Sequence, residues 1–194
     1  MVLPGHLAGG YIATTVVLSL LPASVQFSTD QLTILYIVGI LSGEIPDIDL
    51  LLFYFLKKKN KDQSKNNHRE FITHIPLFWF IISLIIFSLG FLFNSKFIEI
   101  LALLLLAGTF SHFVFDSIEY GIRWIEPFSK KRLSLFKDSP KTDTDNVDDT
   151  KIIIGSIPYY WNYIKTSYIK SSTIYFEITV VIIAIIIIFN TTCL

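Results

Sequence analysis

Apolar residues gather in long runs instead of alternating with polar ones. Five such runs approach the ~20 residues that an α-helix needs to cross a ~30 Å hydrocarbon core. They cover residues 7–25, 32–56, 76–93, 97–118 and 174–190. The pattern predicts an all-α class: an integral membrane helical bundle of about five transmembrane helices. The first run has the length of a signal-peptide core, and Pro22-Ala23-Ser24-Val25 stands where a cleavage region would. No Lys or Arg precedes it, so it reads as a retained helix. In the second run, Gly43 and Pro46 predict a break in the helix.

Composition narrows the class further. Hydrophobic residues make up 52% and charged residues 16%, against about 25% charged in an ordinary soluble domain. Sixteen basic and sixteen acidic residues cancel, which removes the electrostatic case for a nucleic-acid partner. The one cysteine, Cys193, permits neither an intramolecular disulfide nor a thiolate metal site. With the N-terminus in the cytoplasm, segments 1–6, 57–75 and 119–173 also face it. They hold 15 of the 16 basic residues, leaving Lys96 alone on the far side. The positive-inside rule therefore orients the chain in a cytoplasmic (inner) membrane.

Three regions follow: a four-span membrane domain over 1–136, a loop and interfacial segment over 137–173, and a C-terminal span or anchor over 174–194. Within the long cytoplasmic stretch, 122–136 mixes basic residues with Trp124, Phe128, Leu133 and Phe136, as an interfacial segment does. Residues 138–150 are polar and acidic, which predicts a flexible loop and a candidate lid. Asp143-x-Asp145 within it lacks the later Gly and Glu of a calcium loop. Tyr159, Tyr160, Trp161, Tyr163 and Tyr168 predict an aromatic belt before the last span. The last span, rich in Ile, reads as an anchor without chemistry. No internal repeat supports an inverted-repeat transporter.

Ionisable groups inside spans are costly and by default mark function. Here they include Glu44, Asp47 and Asp49 in the second span, and His112 and Asp116 in the fourth. His6 precedes the first span, while His68 and His74 close segment 57–75. On the topology above, all four histidines and the intramembrane acids converge on the cytoplasmic side. His112 and Asp116, at i and i+4, share one helical face. Counted along continuous helices from Lys57 and Arg123, Asp47 and His112 lie at a common depth of about 15–16 Å. Imidazole and carboxylate without thiolate suit zinc, with manganese or iron(II) as alternatives, and are typical of catalytic sites. Proposed ligands are His6, Asp47, His68, His74, His112 and Asp116, with Asp49 as ligand or general base. Glu44 and Glu119 are cavity-lining candidates, and Arg69, between two histidines, is a candidate for gripping phosphate. Seven donors exceed the three that one catalytic zinc keeps, so two or three ions are expected.

These residues fall into a recognisable set. Gly5-His6-Leu7, Gly43-x-x-Pro46-Asp47-Ile48-Asp49, His68-Arg69 with Thr73-His74, Ser111-His112-x-x-x-Asp116 and Pro127-Phe128-Ser129 resemble the motifs of the YdjM-like family. The resemblance spans about residues 4–136. It implies a membrane-bound, metal-dependent hydrolase of the inner membrane. One departure is Glu70, where the family carries Gly after the His-Arg pair, with a slightly shorter spacing to the next His. The family is in turn distantly similar to zinc-dependent phospholipases C, which implies phosphoester hydrolysis at a multi-zinc centre. A lipid or lipid-linked phosphoester is the expected substrate, and membrane lipids are the expected partners. The rival expectations are a metal-ion or proton transporter, and a metal-stabilised membrane scaffold without catalysis.

Overall fold

The computed structural model of the protein describes residues 3–49, 71–119, 121–129, 131–135, 161, 164, 165, 168–171 and 173–192. Among these residues the chain forms five α-helices: α1 (Leu3–Ser19), α2 (Thr29–Ser42), α3 (Pro76–Leu92), α4 (Lys96–Glu119) and α5 (Thr173–Thr192). Short 3-10 turns occupy Ile45–Asp47, Ile72–His74 and Tyr168–Lys170.

Local chemistry sets the helix ends. Ser28 opens α2 with a reciprocal cap: its hydroxyl accepts the Gln31 amide at 3.2 Å, and the Gln31 side chain accepts the Ser28 amide at 3.0 Å. Asp30 adds a carboxylate at the positive end of the helix. Pro76 begins α3, where its missing N–H costs nothing. Helix α2 ends at Ser42, and Pro46 then falls in a 3-10 turn. The break expected at Gly43 and Pro46 is therefore present, and the second apolar run is not one continuous helix. Residues 50–56 of that run lie outside the described residues.

Helix α4 is the hub, with α1, α2 and α3 all packed against it, while α5 packs on α1. One apolar cluster joins Trp79, Leu105, Phe113 and Ile122, and a second joins Leu35, Ile100 and Leu104. Ala8 meets Val180 and Ala184 in a third. The helices approach closely through small residues, as in membrane bundles. A Cβ on Gly108 would stand 2.5 Å from Ser42 Cβ and 2.8 Å from Gly39 O. The outer faces are apolar: Ile81, Leu84 and Ile85 on α3, and Ile178, Ile182 and Ile186 on α5, are all exposed. Helices Lys96–Ile118 and Thr173–Asn190 are long and apolar enough to span a membrane. Thr29–Ser42 and Pro76–Leu92 are apolar but shorter.

After α4 the chain reverses at Gly121, whose φ of 75° suits glycine. Its amide donates to Asp116 O at 3.1 Å, and Ile122 pairs antiparallel with Leu133. Trp124 folds back along α4, its ring centroid 5.2 Å from that of Phe110 and its indole N–H donating to Ser117 Oγ at 2.8 Å. Within 122–136, Ile122 is core and Trp124 packs on α4, whereas Phe128 is 84% exposed. Tyr168 is buried, while Trp161 is exposed. Tyr159, Tyr160, Tyr163, Asp143, Asp145 and the 138–150 segment lie outside the described residues.

Candidate metal centre

Four separate pieces of chain bring the predicted donors together. His6 sits on the first turn of α1, and Asp47 closes the 3-10 turn after α2, with Asp49 two residues on. His74 closes the second 3-10 turn, and His112 and Asp116 lie on one face of α4. His6, Asp49, His74, His112 and Asp116 are buried. Because α4 ends at Glu119 and the chain turns at Gly121, His112 and Asp116 lie only about 10 and 5 Å below the end of the helix. That is shallower than a continuous helix to Arg123 would place them.

The donor atoms face one another at ligand spacing. His74 Nε2 is 3.3 Å from Asp47 Oδ1 and 3.8 Å from Asp116 Oδ2. His112 Nε2 is 3.8 Å from Asp47 Oδ1 and 4.0 Å from Asp116 Oδ2. His6 Nε2 is 3.5 Å from Asp116 Oδ1. With metal–donor bonds of about 2.0–2.2 Å, two donors on one tetrahedral ion stand ~3.3–3.5 Å apart. The observed separations are mostly too long for good hydrogen bonds; two of the five match this value, and three exceed it by about 0.3–0.5 Å. Three groups keep their donor atoms within 4.8 Å of one another: His6, Asp47 and His112; His74, His112 and Asp116; and Asp47, Asp49 and His74. Among the described residues, both ring nitrogens of His6, His112 Nε2 and Asp47 Oδ1 are buried without a hydrogen-bond partner. Buried polar atoms of this kind call for a partner, and a divalent cation could take one nitrogen of His6 together with Asp47 and His112.

The far sides of two imidazoles are held as metal-binding histidines usually are. His112 Nδ1 lies 2.8 Å from Gly43 O. A carbonyl only accepts, so that nitrogen carries the proton and Nε2 presents its lone pair. His74 Nδ1 lies 2.5 Å from Asp49 Oδ2, which also accepts the Thr73 hydroxyl at 2.8 Å. Trp79 braces this turn by donating its indole N–H to Thr73 O at 2.7 Å. The rings of His6 and His112 stack with centroids 4.0 Å apart.

Not every expected residue can be placed. His68 and Arg69 lie outside the described residues, as does the side chain of Glu119. Glu44 stands at the turn between α2 and the 3-10 turn, with Oε2 buried and no hydrogen-bond partner among the described residues. Sequence reasoning passed over a buried ionisable group beside the site. Glu177, in the last span, is 5% exposed and accepts the Gly5 amide at 2.9 Å beside His6. The rule that singled out Asp47 and Asp116 applies equally to a glutamate among isoleucines.

A bundle with lipid-compatible outer faces and a buried His/Asp cluster defines a helical membrane protein with a candidate metal centre. The model of the YdjM inner membrane protein family matches residues 1–192, and the chain belongs to that family. The motifs in the sequence pointed to the same family. No curated protein and no solved structure matches the chain.

Proposed function

We propose that this protein is a multi-pass, membrane-bound, metal-dependent hydrolase of lipid or lipid-linked phosphoesters. The observation that carries the reading is the placement of Asp116. One of its oxygens faces His6, and the other faces His74 and His112. A carboxylate with histidines on both of its oxygens would be available to more than one cation, which supports the expectation of two or three ions. His74 and His112, with Asp47, would hold one, and His6 would contribute to the second. Zinc suits this donor set best, with manganese or iron(II) as alternatives.

Bound divalent cations supply Lewis acidity towards a phosphoryl oxygen and an activated water at neutral pH. The chain's own groups do the rest. Asp49 keeps His74 in the tautomer whose Nε2 faces the centre, a positioning role through Oδ2 that leaves Oδ1 available for the ligand or general-base role read from sequence. Gly43 O does the same for His112. Arg69 is proposed to neutralise the phosphate.

The topology belongs to the proposal too. Basic residues support an N-terminus and a Glu119 end of α4 in the cytoplasm, which would set the site near headgroup depth on that side. A soluble substrate would not need a site at that depth; a lipid phosphoester would.

The test is hydrolysis of phospholipid and lipid-linked phosphoesters in mixed micelles by the zinc-loaded, detergent-purified chain. Turnover that is lost in chelator and in His112→Ala supports the reading. Fully loaded protein that turns over no phosphoester contradicts it and leaves a metal-stabilised scaffold.

A further inference from the structure

The three histidines of the described site are not oriented in the same way. His74 and His112 each have a partner on Nδ1, Asp49 in one case and Gly43 O in the other. Neither ring nitrogen of His6 has a hydrogen-bond partner among the described residues. Its ring direction must come from packing and from where the backbone of α1 is held. Packing supplies part of this, through the stack on His112 and through Phe115, whose ring centroid is 6.3 Å away. Phe115 also fills the space beside Gly9, where a Cβ would come within 2.2 Å of its ring.

The backbone is held from the other end of the chain. Glu177 Oε1 accepts the amide of Gly5, the neighbour of His6, at 2.9 Å in a buried contact between residues 172 apart in sequence. A first-turn amide of α1 has no partner within its own helix, and a carboxylate there also meets the positive end of the helix dipole. The register is fixed by packing: Val180 and Ala184, on the same face of α5 as Glu177, lie against Ala8. A buried carboxylate in an apolar span is expensive, and an anchor alone would not need one.

We propose that Glu177 is a positioning residue of the metal centre. It clamps the first turn of α1 so that His6 Nε2 faces Asp116, which makes α5 part of the site. The proposal rests on the reading of His6 as a metal ligand.

The test is a double-mutant cycle on the full-length protein in detergent, with zinc affinity read by competition against a chromophoric chelator. Glu177→Leu is expected to weaken zinc binding about 10–100-fold, the usual effect of losing a ligand-orienting partner. Glu177→Gln keeps an acceptor oxygen and is expected to retain most of the affinity. Glu177→Asp withdraws the oxygen while keeping the charge, and is expected to follow the Leu variant. It serves if the Leu variant does not fold. In a His6→Ala background the Leu or Asp substitution is expected to cause no further loss, because the clamp acts through His6. An equal loss in that background, or wild-type affinity in both Glu177→Leu and Glu177→Asp, overturns the proposal. If the wild type binds no zinc, the metal reading itself fails and the clamp fails with it. If the wild type binds zinc and the cycle is additive, only the clamp fails.

Discussion

At the scale of single residues, Asp49 and Gly43 separate orientation from ligation. Asp49 touches His74 Nδ1 and the Thr73 hydroxyl, so Asp49→Ala is expected to weaken metal binding about 10–100-fold. Chelator competition checks this. Unchanged affinity with lost turnover would instead restore the general-base role. Gly43 is a steric matter, since a Cβ there would fall 2.3 Å from His6 O. Gly43→Ala should therefore push α1 away from the site and cost about 1–3 kcal/mol, as overpacking does. Thermal unfolding together with metal content is the check, and both should fall. Residue types and spacing made Asp47, His74, His112 and Asp116 legible, because an ionisable group in an apolar run stands out. The atom each one faces was not legible, since that depends on three chain segments meeting. Sequence spacing made Asp49 a candidate ligand; the meeting of the two 3-10 turns adds its contact with His74 Nδ1.

At the scale of elements, hydropathy located α3, α4 and α5 to within a residue or two of the helices observed, at Pro76–Leu92, Lys96–Glu119 and Thr173–Thr192. It overran α2, because apolar character continues past Ser42 while Gly43 and Pro46 end the helix. It also missed the start of α1, which begins at Leu3 and buries His6 within its first turns. The fold-back of Trp124 onto Phe110 left no periodic signal, since a loop packed against a helix has none. Caps on the side away from the site should be energetically separate from it. Ser28→Ala removes the reciprocal cap of α2 and is expected to cost about 0.5–2 kcal/mol. Metal stoichiometry should not change, and a variant that loses metal would show that the two ends of α2 are coupled.

At the scale of the whole molecule, the centre acts as a joint. Its donors come from α1, the turn after α2, the turn before α3, and α4, so a cation bound there ties these pieces together. A ligand that binds only the folded state adds stability by mass action, about 2.7 kcal/mol when its free concentration is a hundred times its Kd. Chelation is therefore expected to lower the unfolding temperature, and zinc to restore it. In His112→Ala the chelator should have much less effect. An equal effect in wild type and variant would mean that the stabilising ion sits elsewhere.

The central claim, that the buried His/Asp cluster is a metal centre, is tested most directly by metal stoichiometry. Detergent-purified wild type is compared with His112→Ala and Asp47→Ala. Two or three zinc or manganese ions per chain in the wild type, lost in both variants, is the result expected. A wild type that stays metal-free after incubation with zinc, manganese and iron(II), or variants that keep the full complement, would contradict it.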